Sequence, residues 1–184
     1  MFKKFSPSSD ISGQSILKSS VQRTIRTNIL SHFKVDPDTF EHIWPKKESL
    51  VLVKCREHIS LYTVNGTPLF FQHFDGPYFP TLKLLHKYPF LLPRVTVDRG
   101  AIRFLLGGAH MMCPGFTSAG GELPPPEEAL PAGTPVAIMS EGKEHAVGIG
   151  ITKLSTEEIK SVNKGVGVET VCYLGDDLWN VDTV

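Results

Sequence analysis

The sequence predicts an α+β protein in two domains, and three observations carry that reading. The first is a division of charge. Residues 1–94 hold 13 Lys and Arg against 7 Asp and Glu, a balance of +6, while residues 95–184 hold 6 against 12, a balance of −6. A net charge of zero over 184 residues therefore hides two oppositely biased halves, as two functional units would be. Mutual attraction of the halves is the plainer reading of the same numbers. The second is a change of period: one long segment repeats apolar residues at helical spacing, and short apolar runs with turn signals follow it. The third is FLLPRV, residues 90–95, where a proline coincides with the change in charge bias. It divides the chain into domains 1–92 and 93–184.

MFKKF alternates apolar and basic residues and reads as a short edge strand. In residues 15–33, Leu17, Val21, Ile25, Ile29 and Phe33 recur about every fourth position, the mark of an amphipathic helix. Its other faces carry Lys18, Arg23 and Arg26. Asp36-Pro37 supplies an N-cap and a first helical residue for a helix through Ile43, and Trp44-Pro45 ends it. Residues 50–55, 58–64 and 68–74 read as strands, with Asn65-Gly66 as the hairpin turn between the last two. Pro80 opens a helix, TLKLLHKY, that stops before Pro89.

In the second half Val95 and Val97 suit a strand, and Asp98 caps a short helix over 99–106 that Gly107 and Gly108 terminate. MMC, GTPVAIMS and HAVGIGITKL read as strands, and residues 119–133, rich in Pro, Gly and Glu, as an exposed loop. Ser155 begins a capping box, and its helix stops at Asn163-Lys164-Gly165. ETVCYL and LWNVDT are read as the final strands.

Most kinds of chemistry are missing from this pattern. Cys55, Cys113 and Cys172 are odd in number and far apart, so they form no disulfide framework and suit a reducing compartment. Cys113 and His110 lack the further ligands that a zinc site needs, and Cys113 is expected to pack as a small buried hydrophobe. Neither GxxxxGK[ST] nor GxGxxG occurs. The pairs Glu127-Glu128 and Asp176-Asp177 lie in loop-like sequence, and the seven histidines show no ligand spacing. No catalytic constellation, metal or cofactor is expected. No apolar run approaches the roughly 18 residues of a membrane span. MFKKFSPSSD also lacks the apolar core of a signal peptide, so a soluble cytoplasmic protein is expected.

The stretch GGAHMMCPGFTSAGG, residues 107–121, is more informative. On the preceding helix Ala101, Ile102, Leu105 and Leu106 share a face that should pack inward. Arg103 falls opposite and Phe104 on the flank. An aromatic residue beside an arginine, ahead of glycines that permit close backbone approach, suits contact with RNA or a protein. The competing reading leaves Phe104 at a core edge and the glycines as a turn.

VTVDRGAIRFLLGGAHMMCPG resembles the opening of a PUA domain. The residues that carry the likeness are Asp98, Gly100, Ala101, Gly108, Ala109, Met111, Met112, Pro114 and Gly115. PUA domains are small pseudo-barrels that bind RNA, usually through the first helix and the glycine loop after it. The likeness then extends nearly end to end. MFKKF, WPKK, LYTVNGTPLFFQHFDGPYFPTLKLLHKYP, VNKG and DDLWN together make the chain similar to the malignant T-cell-amplified sequence family. This implies a small basic N-terminal α/β module, the pre-PUA domain, followed by an acidic PUA pseudo-β-barrel.

The family resemblance further implies a non-catalytic translation factor that binds the small ribosomal subunit through its rRNA. With density-regulated protein, a partner carrying an SUI1 domain, it would remove deacylated tRNA and mRNA after termination and support reinitiation. Direct tRNA contact is left open. Lys18, Arg23, Arg26, Lys46, Lys47, Arg99, Arg103, Gly107 and Gly108 are the expected RNA-binding residues. Phe104 is assigned to the protein partner, because the family's pairing and the acidity of this half favour it. Two alternatives stand beside this: an RNA-targeting subunit of an RNA-modification enzyme, and a protein-only adaptor.

Overall fold

A computed structural model describes all 184 residues. After an irregular start, a one-turn helix α1 (Pro7–Asp10) leads into strand β1 (Ile11–Ile16). Helices α2 (Ser19–Phe33) and α3 (Pro37–Ile43) follow, then β2 (Leu50–Cys55), β3 (Ile59–Val64), β4 (Thr67–His73), β5 (Phe79–Pro80) and helix α4 (Leu82–Lys87). The five strands pair in chain order as an antiparallel meander. Local signals account for much of this. The Asp36 carboxylate accepts from the Thr39 N–H at 2.9 Å with Pro37 in the first turn. Asn65 and Gly66 have φ of 51° and 80°, the two positive values that a type I′ hairpin turn requires.

The second sheet is less local. Its strands are β6 (Arg94–Val97), β7 (Met111–Met112), β8 (Pro135–Ser140), β9 (Gly148–Thr152) and β10 (Val166–Tyr173), in the order β6-β8-β9-β10-β7. The β6–β8 pair is parallel and the rest are antiparallel. Helix α5 (Ile102–Leu105) and helix α6 (Cys113–Thr117) flank β7, and helix α7 (Thr156–Val162) precedes β10. Ser155 caps α7 by accepting from the Glu158 N–H, and Asn163 ends it in the left-handed region. Gly150 faces an irregularity in the β9–β10 register, where a Cβ would meet a Val168 methyl at 2.4 Å. Only glycine allows the strands to approach there.

The larger apolar core crosses both sheets. Alternate residues of β8 point to opposite sides, as strand geometry demands. Ala137 and Met139 join Phe2, Leu61, Phe70 and Phe71 of the first unit, while Val136 and Ile138 join Val95, Leu105, Phe116 and Ile159 in the second core. The chain ends close over this junction. Phe2 is fully buried, edge-on to Phe71 with centroids 5.1 Å apart. The Asp177 N–H donates to the Phe2 carbonyl (3.0 Å), and its carboxylate accepts from the Phe5 N–H (2.8 Å). Further on, Lys83 pairs with Asp182 at 2.5 Å and the Val184 N–H donates to Gly66. His86 donates from Nε2 to the Ala146 carbonyl (2.7 Å) and packs against both His145 and Trp179.

Several expectations need correction. MFKKF forms no strand: its buried residues, Phe2 and Phe5, lie three apart, a spacing that strand alternation does not place on one face. Residues 11–16 are a strand, and the following helix begins at Ser19, not at residue 15. This edge strand is exposed almost throughout and therefore carries no apolar alternation. Cys113 opens helix α6 instead of closing a strand. LWNVDT is a run of turns, because Asp176 accepts from the Trp179 N–H and bends the chain back. Leu106 is exposed, since α5 ends at Leu105 and the next residues turn away from the core.

Asp176 is 3% exposed and uses both carboxylate oxygens, accepting from the N–H groups of Tyr173 (3.0 Å) and Trp179 (2.8 Å). Burial raises its pKa, while the two N–H donors pull it back. Replacing it with alanine strands two N–H groups beneath the tail. Asp176→Ala should lower unfolding stability by about 2–4 kcal/mol, the sum for two N–H groups left without a buried partner. Urea denaturation followed by circular dichroism measures this, and a drop below about 1 kcal/mol would show that the tail finds other partners.

Candidate nucleic-acid interface

Two surfaces hold the residues singled out from the sequence. On the N-terminal unit, helix α2 lies along the segment 44–50. At its start the Leu17 N–H donates to the Leu50 carbonyl, and the Gln22 amide accepts from the Leu50 N–H (3.2 Å) while donating to the Leu17 carbonyl (2.6 Å). At its centre the Arg26 guanidinium sits 4.0 Å from the centre of the Trp44 ring and 5.4 Å from that of Phe40. Lys46 and Lys47 project, exposed, from the loop between these two anchor points. Arg23 is exposed one helical turn before Arg26, and Lys18, also exposed, stands just ahead of the helix. The result is a basic ridge.

Arg26 does not belong to the free part of that ridge. Its side chain is only 14% exposed, stacked on two aromatic rings and 3.9 Å from Glu41. Burial lowers its pKa, and Glu41 opposes that shift. The guanidinium is engaged with the protein and braces the loop that carries Lys46 and Lys47, so it is not presented to a phosphate as Arg23 is. Sequence periodicity places Arg26 on a polar face, but Trp44 by itself signals only a helix end.

The second surface is an apolar groove of about 510 Å³ on the C-terminal unit, lined by Ala101, Phe104, Ala109, His110, Met112 and their neighbours. Phe104 is 54% exposed, and the Arg103 guanidinium lies 4.8 Å from its ring centre. Met112 is also exposed. The floor is built from small residues: a Cβ on Gly115 would lie 3.7 Å from that of Ala101. Asp98 holds the groove's edge by accepting from the Ala101 N–H (3.0 Å) and from the Ser118 hydroxyl. Exposed Arg99 extends toward the turn at Gly142.

Gly107 is exposed beside the groove, whereas Gly108 is half-buried with φ of 88°. A Cβ on Gly108 would also meet the Tyr173 ring at 3.4 Å, so this glycine is required by the fold itself. Local charge differs from the average of this half. Among its twelve acidic residues only Asp98 lines the groove, and that carboxylate is already engaged. Arg99 and Arg103 offset Asp98 and the Glu141 carboxylate that accepts from the Arg99 N–H, so the strong acidity of this half is not concentrated at Phe104. His110 and Met112, which line the same groove, were missed as site residues; a lone histidine with no spacing partner gives no sequence signal.

The cysteines are packing groups. Cys113 is fully buried, and its thiol donates to the Lys164 carbonyl. Burial pushes the Cys55 thiol up to about 11 and also raises Cys172. Neither thiol is poised as a nucleophile, which needs a depressed pKa or an adjacent base. No group of three His, Cys, Asp or Glu has metal-holding geometry, and no helix is long and apolar enough to cross a membrane.

Residues 5–89 match the Pre-PUA-like domain and residues 93–174 the PUA domain. Malignant T-cell-amplified sequence 1 of Danio rerio is 49% identical over 183 residues, covering 100% of this chain and 99% of that protein. Malignant T-cell-amplified sequence 2 of Homo sapiens is 45% identical with the same coverage. Translation machinery-associated protein 20 of Saccharomyces cerevisiae is 49% identical and covers 98% of each chain. Among solved structures, a hypothetical protein from Pyrococcus horikoshii OT3 shares the fold, with a TM-score of 0.73 at 23% identity over 92% of this chain and 99% of that one. A PUA domain protein from Aeropyrum pernix K1 is 27% identical, with a TM-score of 0.67 over 91% of this chain and 89% of its own. The expected order, a Pre-PUA module and then a PUA pseudo-barrel, is borne out.

The brace at Arg26 is testable by itself. Arg26→Ala should cost about 1–2 kcal/mol, because it removes both the cation–π interaction and the packing on Trp44. Arg26→Lys should recover only part of this, because an ammonium does not stack as a planar guanidinium does. Urea denaturation of the three proteins provides the check, and full stability in Arg26→Ala would return this residue to the open ridge.

Proposed function

The chain belongs to the malignant T-cell-amplified sequence family, and on that premise we propose that it is a non-catalytic cytoplasmic translation factor acting on the small ribosomal subunit. In this reading it pairs with density-regulated protein, whose SUI1 domain completes the factor, and the pair promotes removal of deacylated tRNA and mRNA after termination, and reinitiation. The observation that carries the reading is the full-length likeness to a yeast protein named for association with the translation machinery. A PUA domain, an RNA-binding module, in the same chain agrees with it.

The two surfaces divide the work between units 1–92 and 93–184. The ridge of Lys18, Arg23, Lys46 and Lys47 meets rRNA phosphates, which fix position without reading sequence. Arg99 and Arg103 with Gly107 make the matching contact on the PUA side. The groove takes an unpaired RNA base, stacked on Phe104, with Arg103 balancing the nearby phosphate charge. This replaces the protein partner as the expected occupant of Phe104, for the reason of local charge given above. Aromatic stacking platforms bordered by cations are the usual means of holding unpaired bases.

Two measurements test this. In co-sedimentation with purified small subunits, Lys46→Glu with Lys47→Glu should weaken binding, most visibly at moderate salt. The slope of log affinity against log salt should flatten by roughly 0.7–0.9 for each phosphate that is no longer neutralised. Unchanged affinity and slope in the folded double variant would remove these lysines from the interface. Phe104→Asp, at an exposed position, should leave the melting curve nearly unchanged and weaken RNA binding by about 1–3 kcal/mol. Normal RNA affinity together with failure to bind density-regulated protein would instead make Phe104 a protein anchor.

A further inference from the structure

The groove beside Phe104 contains one polar group whose state the backbone dictates. The Thr170 N–H donates to His110 Nδ1 at 3.0 Å. A ring nitrogen that accepts carries no proton, so in the neutral ring the proton sits on Nε2. The neighbouring backbone is tied to the same strand, because the Thr170 hydroxyl donates to the Ala109 carbonyl at 2.9 Å. Two bonds from one threonine of β10 therefore hold both the ring and the chain that bears it. His110 is exposed and lines the groove, and its Nε2 makes no hydrogen bond within the chain. The other side chains used above to build the groove are apolar, apart from Asp98, whose carboxylate is occupied. The result is an apolar slot with one free donor whose direction is set.

We infer that His110 is the base-reading residue of this groove: its Nε2–H selects unpaired RNA bases that have a lone pair at the centre of the Watson–Crick edge. The inference rests on the stacking reading of Phe104 proposed above. Adenine N1 and cytosine N3 are acceptors, so a base of either kind stacked on Phe104 pairs with the donor. Guanine N1 and uracil N3 carry protons, so with these bases two donors face each other and both lose a partner. A site built around a polar contact discriminates strongly against ligands that leave that contact unmade. Arg103 cannot take this role while its guanidinium covers the Phe104 ring, and its charge serves the phosphate.

The test uses the full-length protein and RNA hairpins that differ only in one unpaired nucleotide, with affinity read by fluorescence anisotropy at fixed salt. Hairpins with unpaired adenine or cytosine should bind roughly tenfold more tightly than those with guanine or uracil, the value of about one well-placed hydrogen bond in a partly dry site. A hairpin with 1-deazaadenine, which keeps adenine's shape and amine but lacks the N1 lone pair, should fall to the guanine level. His110→Phe keeps a ring and removes the donor, so it should bind all four bases alike. The 1-deazaadenine comparison needs no variant and decides the matter even if His110→Phe does not fold. Equal binding of the four bases by the unaltered protein, or full affinity for 1-deazaadenine, would overturn the inference. If Phe104→Asp still weakens every hairpin in that case, the stacking reading survives. A folded Phe104→Asp variant that binds every hairpin normally would overturn both.

Discussion

Neither sheet of this protein closes its own core, and that constraint organises the rest. Strand β8 sends Ala137 and Met139 to one side and Val136 and Ile138 to the other, so it belongs to two apolar clusters at once. Phe2 enters the junction from one end of the chain, and Leu178 from the other. Asp177 joins these ends directly through its N–H and its carboxylate. Domains connected by a linker alone are expected to move relative to each other, but a continuous hydrophobic interface removes that freedom. The basic ridge on α2 and the groove beside Phe104 are thus held in one geometry by the core, and whatever RNA meets both must match that spacing.

The parts of the fold legible in the sequence are those specified by neighbours. The Asp36 cap, the Asn65-Gly66 turn and the Ser155 cap each depend on residues within one turn, and each appears at the position its sequence signal marks. The misread parts depend on remote contacts. Phe2 is buried because Phe71 lies against it, and the final residues, turned locally by the bond from Trp179 to Asp176, are then received by Gly66 and Lys83. Strand β1 is a different case. It is held by backbone pairing to β2 with its side chains in solvent, so no apolar period marks it.

The functional surfaces show the same division. Exposed lysines at 46 and 47 follow from charge alone, and the exposure of Phe104 follows from helix geometry. Arg26 is identical in kind to Arg23, yet its contact with Trp44, eighteen positions away, gives it another task. Net charge is informative for the halves and misleading for the groove, because an average over ninety residues says nothing about the few that surround Phe104. His110 is set by Thr170, sixty residues further on, and no local pattern encodes that pairing.

The parallel pairing of β6 with β8 also bears on how the molecule is made. The strands of the first sheet leave the ribosome in the order in which they pair, so the meander can assemble as it emerges. Its apolar face stays uncovered, however, because Ala137, Met139, Ile149, Cys172 and Leu178 all come later. Strand β6 likewise waits for β8, and β7 waits for β10. Such delayed, non-local closure slows folding and leaves apolar surface open to aggregation. A premature stop even within the last strand would therefore strip Leu178 and the tail from the first sheet, so that damage to the second unit also uncovers the first.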